Sequence, residues 1–106
     1  MWAMDPFAAI ADPSRRRMLE MLGQGPLAAG RLAAAFELSA PAVSQHLKAL
    51  REAGLVRVEP SGASRIYSLD RRGLAEIDVW IGRVRGEWKQ RLDRLDAALR
   101  DEQGEG

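Results

Sequence analysis

The chain has 106 residues, with 16 lysines and arginines against 15 aspartates and glutamates, one histidine and no cysteine. This inventory excludes a disulfide framework, a thiolate nucleophile, a thiol redox sensor and any cysteine-held metal cluster. A lone imidazole, His46, also excludes a histidine-rich metal centre, so no cofactor is expected.

The length fits a single domain over residues 1–106. A domain of this size buries only about two-thirds of the surface its unfolded chain exposes, so a second copy is an expected source of further burial. No run approaches the roughly 18 apolar residues of a membrane span, and no basic segment leads into an apolar core at the start. The expected compartment is the cytoplasm. Net charge is +1 overall. Residues 39–72 differ: Lys48, Arg51, Arg57, Arg65, Arg71 and Arg72 outnumber Glu52, Glu59 and Asp70. A balanced chain with one basic stretch suits a protein that presents a single surface to phosphates.

Asp5 before Pro6 predicts a short first helix over Phe7 to Ala11. Asp12 before Pro13 repeats the signal. The second helix turns Met18, Leu19, Met21 and Leu22 inward and ends at Gly23 and Gly25. Pro26 and Leu27 read as a connector, and a third helix is expected over 28–36 on Leu32, Ala33 and Phe36. Ser39 caps a fourth helix with Pro41 in its first turn, and Gly54 stops it. Val56 to Glu59 alternate apolar and charged residues, as a strand does. Pro60, Ser61 and Gly62 read as a turn, and Arg65 to Leu69 as the second strand of a hairpin. Pro60 predicts a short hairpin. Asp70 caps a last helix over 71–101, with a frayed polar tail from Glu102. The class is mainly α with a small hairpin, in the order of a winged helix-turn-helix.

A helix fits the DNA major groove, where each base pair shows its own donor and acceptor pattern. Such a helix must bury one face and present short polar side chains on the other. In the fourth helix Val43, Leu47 and Leu50 form one narrow stripe, while Ser44, Gln45 and Lys48 point away from it. Ala40 and Pro41 join that outer face near the N-terminus, where the helix end at Ser39 can meet a phosphate. The plainer reading is a solvated amphipathic helix, because periodicity shows burial and not purpose. His46 lies at the edge of the stripe, as a half-buried packing residue or a phosphate contact. Arg57 and Arg65 on the hairpin read either as a phosphate clamp or as ordinary surface charge.

In the last helix Ile77, Ile81, Val84, Trp88, Leu92, Leu95 and Leu99 follow one another at steps of three and four. That seam is longer than a small domain can cover, so a second copy is expected on it. Trp80 lies one residue off the seam and reads as part of the same interface. The sharper alternative for the tryptophans is an apolar inducer pocket, with Trp2 or Phe7 as neighbours.

Four stretches carry a resemblance: residues 11–19 (Ala-Asp-Pro-Ser-Arg-Arg-Arg-Met-Leu), 38–47 (Leu-Ser-Ala-Pro-Ala-Val-Ser-Gln-His-Leu), 50–56 (Leu-Arg-Glu-Ala-Gly-Leu-Val) and 65–69 (Arg-Ile-Tyr-Ser-Leu). In order and spacing they resemble the ArsR family of bacterial winged-helix repressors. The resemblance implies a homodimer built on the first and last helices, Phe7 included. It implies a recognition helix over about 39–53, a wing over about 56–69, a dimerisation helix over about 71–101, and repression by occluding a promoter. Metal-sensing relatives carry cysteines on the helix before the recognition helix, where this chain has residues 27–32 without a thiol. The chain therefore resembles a subgroup without thiol or metal ligands, and any inducer is expected to be organic and apolar. An enzyme is not expected, since no catalytic constellation can be assembled. The rival reading is a dimeric winged helix that binds protein instead of DNA, because fold does not set function.

Overall fold

Every helix but one among the described residues begins where aspartate or serine precedes its first turn. In the computed structural model, which describes residues 3–104 and side chains to residue 102, the elements are α1 (Pro6–Ala9), α2 (Pro13–Leu22), β1 (Leu27–Ala28), α3 (Ala29–Ala34), α4 (Ala40–Glu52), β2 (Val56–Ser61), β3 (Ser64–Leu69) and α5 (Arg71–Gly104). The caps work as their chemistry requires. Asp5 Oδ1 accepts from the Phe7 N–H at 3.3 Å, Asp12 Oδ2 from Arg15 at 3.0 Å, Ser39 Oγ from Ala42 at 3.2 Å and Asp70 Oδ1 from Arg72 at 3.0 Å.

Several boundaries differ from the sequence expectations. The first helix stops at Ala9, and the third covers only Ala29–Ala34. The expected connector at Leu27 is a strand: Leu27 pairs with Tyr67 and Ala28 with Ile66, which makes the hairpin a three-stranded antiparallel sheet in the order β1-β3-β2. Pro60 and Ser61 belong to β2, and the turn is Gly62 with Ala63. Gly62 has φ +60° and Ala63 does not share a positive φ, the pattern of a type II′ turn. This two-residue loop closes on the Ser61–Ser64 pair, so the next pair, Pro60–Arg65, directs its backbone N–H positions away from β3. Pro60 on an edge strand therefore loses no ladder bond. The helix of α5 continues through Gly104, past the expected fraying point. Trp2 lies outside the described residues.

The core sits between the helices and the inner face of the sheet. Met18, Leu32, Leu50, Leu55 and Val56 are fully buried, with Leu22, Val43, Leu47, Tyr67 and Ile77 packed around them. The end of α4 is held by a Schellman arrangement: the Leu55 N–H donates to Leu50 O and the Gly54 N–H to Arg51 O, both at 3.0 Å, with Gly54 at φ 69°. The start of α5 is sewn onto this end. Asp70 N–H donates to Leu55 O at 2.9 Å, and Gly73 N–H to Gly54 O at 2.8 Å.

Asp70 is buried and takes both carboxylate oxygens to Arg72, the shortest contact being 2.6 Å to the terminal guanidinium nitrogen. Those hydrogen bonds hold its carboxyl below the ordinary aspartate value of 3.8, against the opposing effect of burial. A depressed folded value contributes stability that is full above the ordinary aspartate value. That stability is lost as pH falls through the folded value. Replacing Asp70 by asparagine is expected to cost about 1–2 kcal/mol at neutral pH, the range of a weakened cap and a lost charged pair. It should also flatten the acid limb of stability. Urea melts near pH 7 and pH 3 check this, and a variant with the wild-type acid limb would refute it.

Candidate nucleic-acid interface

α3 and α4, joined through residues 35–39, form the helix pair that β2 and β3 flank as a wing. On α4 the inward stripe is Val43, Leu47 and Leu50, joined by Ala49. Ser39, Ala40, Pro41, Ser44, Gln45 and Lys48 are all exposed, as expected from their spacing. Lys48 lies 4.0 Å from Glu52 one turn on, a solvent-exposed pair that leaves the ammonium available. The outer face thus carries a hydroxyl, a carboxamide and a cation on a helix fixed at both ends.

His46 faces the body of the protein. Its Nδ1 lies 3.4 Å from an Arg15 terminal nitrogen and 3.9 Å from Asp12 Oδ2. Arg15 in turn donates to Ala9 O at 2.7 Å and to Ala8 O at 3.4 Å. One guanidinium therefore ties the end of α1 to α2 and α4. Arg16 donates from one nitrogen to Ile10 O and Ala11 O at 2.8 and 3.2 Å. Cations at a helix C-terminus satisfy its orphan carbonyls. Asp12 is held below the ordinary aspartate value, first by the Arg15 backbone N–H and further by the charges of His46 and Arg15. Sequence reasoning saw Arg15 only as part of a motif; its contact with His46 spans 31 residues of chain.

The hairpin register separates the two wing arginines. Arg57 stands opposite Ser68 and donates to its Oγ at 3.2 Å, whereas Arg65 stands opposite Pro60. Alternation along the strands puts them on opposite faces of the hairpin, so the two side chains cannot converge on one point as a clamp would require. Arg57 sits at the root of the wing, where its charge also reaches Asp70. Arg65 is exposed near the tip.

The apolar seam of α5 divides. Ile77 lies in the protomer's own core and Val84 is half-buried. Ile81, Trp88, Leu92, Leu95 and Leu99 are exposed, Trp88 and Leu95 at 57% each. Phe7 and Trp80 meet edge to face within one protomer, ring centroids 5.4 Å apart. No helix among the described residues is long and apolar enough to cross a membrane.

This arrangement defines a winged helix-turn-helix protein. Residues 12–58 match the sequence pattern of the bacterial regulatory proteins of the arsR family. The chain is 44% identical over 97 residues to the HTH-type transcriptional regulator Rv2034 of Mycobacterium tuberculosis, covering 92% of this chain and 87% of the relative. It is 36% identical over 75 residues to the transcriptional repressor SdpR of Bacillus subtilis, covering 71% and 83%. Its fold is similar to the homodimeric winged helix-turn-helix DNA-binding domain of Mb0332 from Mycobacterium bovis, described as a possible ArsR-family regulator. The TM-score is 0.62 at 27% identity, over 77% of this chain and 76% of that one. The chain belongs to the ArsR family and is a DNA-binding transcriptional regulator.

Proposed function

We propose that the protein is a homodimeric repressor, acting in the cytoplasm, that reads an inverted-repeat operator with α4 in the major groove. The observation that carries this reading is the outer face of α4, where Ser44, Gln45 and Lys48 are exposed on a helix whose other face is locked in the core. A similar protein, SdpR, is named a repressor, and the Mb0332 domain is described as homodimeric, which supports both parts. α5 supplies the dimer contact through Ile81, Trp88, Leu92, Leu95 and Leu99, which the protomer itself leaves uncovered. Repression follows from occupying the promoter. Residues 1–106 act as one domain in this reading.

Selection of bound sequences from a random DNA library is the test. An inverted repeat is the expected product. No enrichment would favour a protein partner and overturn the reading. On the selected operator, Gln45→Ala is expected to relax discrimination at particular base pairs by about 1–3 kcal/mol. Arg65→Ala should weaken all sequences alike and reduce the salt slope by about 1. If the wing variant changed sequence preference and the helix variant did not, the reading element would be the wing.

Operator affinity is also expected to be indifferent to zinc, copper, arsenite and peroxide. The chain has no thiol, and its one imidazole is engaged with Arg15 and Asp12. Among the described residues no group of three or more His, Cys, Asp and Glu is placed to hold a metal ion. Stoichiometric release of operator by micromolar zinc, read by anisotropy, would contradict this.

A further inference from the structure

His46 is the chain's one imidazole, and its ring stands where α4 meets α2, with 20% of the side chain exposed. Two groups on α2 make opposite demands on its Nδ1. The Arg15 guanidinium, 3.4 Å away, carries donors only, so towards it Nδ1 must offer a lone pair. The Asp12 carboxylate, 3.9 Å away, accepts only, and would take a proton from the same nitrogen. A neutral ring carries its proton on one nitrogen or the other, so the two demands exclude each other. The nearer partner prevails. Only the Arg15 contact is a hydrogen bond, and Arg15 is itself fixed by the carbonyls of Ala8 and Ala9. In the neutral ring Nδ1 therefore accepts, and the proton belongs on Nε2.

That Nε2–H has no partner within the protomer. Among the described residues His46 makes no other hydrogen bond, and no buried side-chain nitrogen or oxygen there lacks one, so Nε2 reaches solvent. Its place on α4 says what it can meet. At 3.6 residues per turn, His46 lies about 100° around the helix from Gln45 and about 20° from Ser39, two turns and about 10 Å further along. It stands on the shoulder of the exposed face, in line with the helix N-terminus. A helix in the major groove turns its outer face to the bases and its shoulders to the backbone. A ring held back on the shoulder meets the backbone first.

We propose that Arg15 is a positioning residue for DNA binding: it fixes the tautomer of His46, so that Nε2–H is presented to an operator phosphate as an uncharged donor. The phosphate contact rests on the major-groove reading of α4; the tautomer does not. Without Arg15 the ring would turn its proton to Asp12, and Nε2 would show a phosphate a lone pair instead of a hydrogen.

With one histidine, nitrogen-15 labelling of the imidazole reports this ring alone. In the free protein at a pH about two units above the ordinary imidazole value, nitrogen–proton correlations should show Nε2–H as the single tautomer. Arg15→Met removes the donor and leaves Asp12, so most of the population should move its proton to Nδ1. Arg15→Lys keeps a donor and should keep Nε2–H. A wild-type ring protonated on Nδ1 overturns the assignment, as does a folded Arg15→Met protein that still shows Nε2–H alone. On the selected operator at the same pH, His46→Ala should weaken binding at least about tenfold, since a dimer makes the contact twice. Base preference should not change. Nor should the salt slope, because an uncharged donor releases no counterion, which separates His46 from Arg65. His46→Gln, whose amide nitrogen can stand near the place of Nε2, should recover most of the loss. Methylphosphonates placed singly along the operator locate the partner. At one position per half-site, neutralising the phosphate should cost the wild type at least about threefold more than it costs His46→Ala. Losses that add at every position overturn the phosphate contact alone, as does a His46→Ala protein with altered base preference or salt slope. A protein that enriches no DNA sequence refutes DNA reading and this contact together, while the tautomer stands or falls by the spectrum of the free protein.

Discussion

Replacing Trp88 by aspartate is expected to turn the protein from a dimer into a monomer in sedimentation velocity. Trp88 is 57% exposed in the protomer and sits mid-way along a stripe that continues through Leu92, Leu95 and Leu99. α5 has 34 residues and so runs about 50 Å, well past the body it starts from. In the homodimer proposed above, a second copy covers this stripe along its length. A two-fold interface presents each substitution twice, so one change places two carboxylates in it. An unpaired charge buried there costs about 3–5 kcal/mol. The fold of the protomer should survive, because Trp88 belongs to none of its core. Operator affinity should fall steeply, since a monomer meets one half-site at a time. Trp88→Phe keeps the apolar contact and should remain dimeric. A Trp88→Asp protein that still sediments as a dimer would place the interface elsewhere.

The largest expected loss of stability comes from a single methyl group at Gly73. A Cβ there would stand 2.5 Å from Ala53 O, 2.6 Å from Gly54 O and 2.7 Å from Gly54 C. All three are backbone atoms of the turn that ends α4, and Gly73 also donates its N–H to Gly54 O. No rotamer change relieves such a contact, so α5 must lift away from α4. Overpacking of this kind costs about 3 kcal/mol or more, a large share of the roughly 5–15 kcal/mol that holds a domain together. Gly73→Ala should therefore lower the melting temperature by at least about 10 °C. Gly82→Ala is the matched control. Its Cβ meets nothing within 4 Å, so the gain in helix propensity should stabilise by up to about 1 kcal/mol. A Gly73→Ala melt within a few degrees of the wild type would show that α5 is not seated on α4 as described.

The outer face of α4 was legible because burial has a period. Val43, Leu47 and Leu50 recur at helical spacing, and whatever lies opposite must be exposed. The caps were legible because Asp5, Asp12, Ser39 and Asp70 act on N–H groups two or three residues away. β1 was not legible. Leu27 and Ala28 are too few to show alternation, and their conformation comes from pairing with Tyr67 and Ile66 some forty residues on. α3 begins after Ala28, which makes no side-chain cap, so its start carries no local mark. Pro60 was read by a general rule against proline in strands, but the register places it where no partner needs its N–H. The α5 seam was legible as a stripe but not in its division. Spacing cannot tell that Ile77 packs into its own protomer while Trp88 projects beyond it. Arg15 and His46 show the same limit, since nothing local relates two side chains that meet across three helices.

The wing's proline has a wider effect. A small sheet ordinarily presents two unpaired borders, each a template on which a foreign strand can grow. Here one border is β1, two residues long, which is too short to seed a ladder. The other is β2, where Pro60 removes a donor and Arg57 and Glu59 stand nearby as charges. Both borders are thus poor templates: one is too short, and the other is interrupted by a proline and flanked by charges.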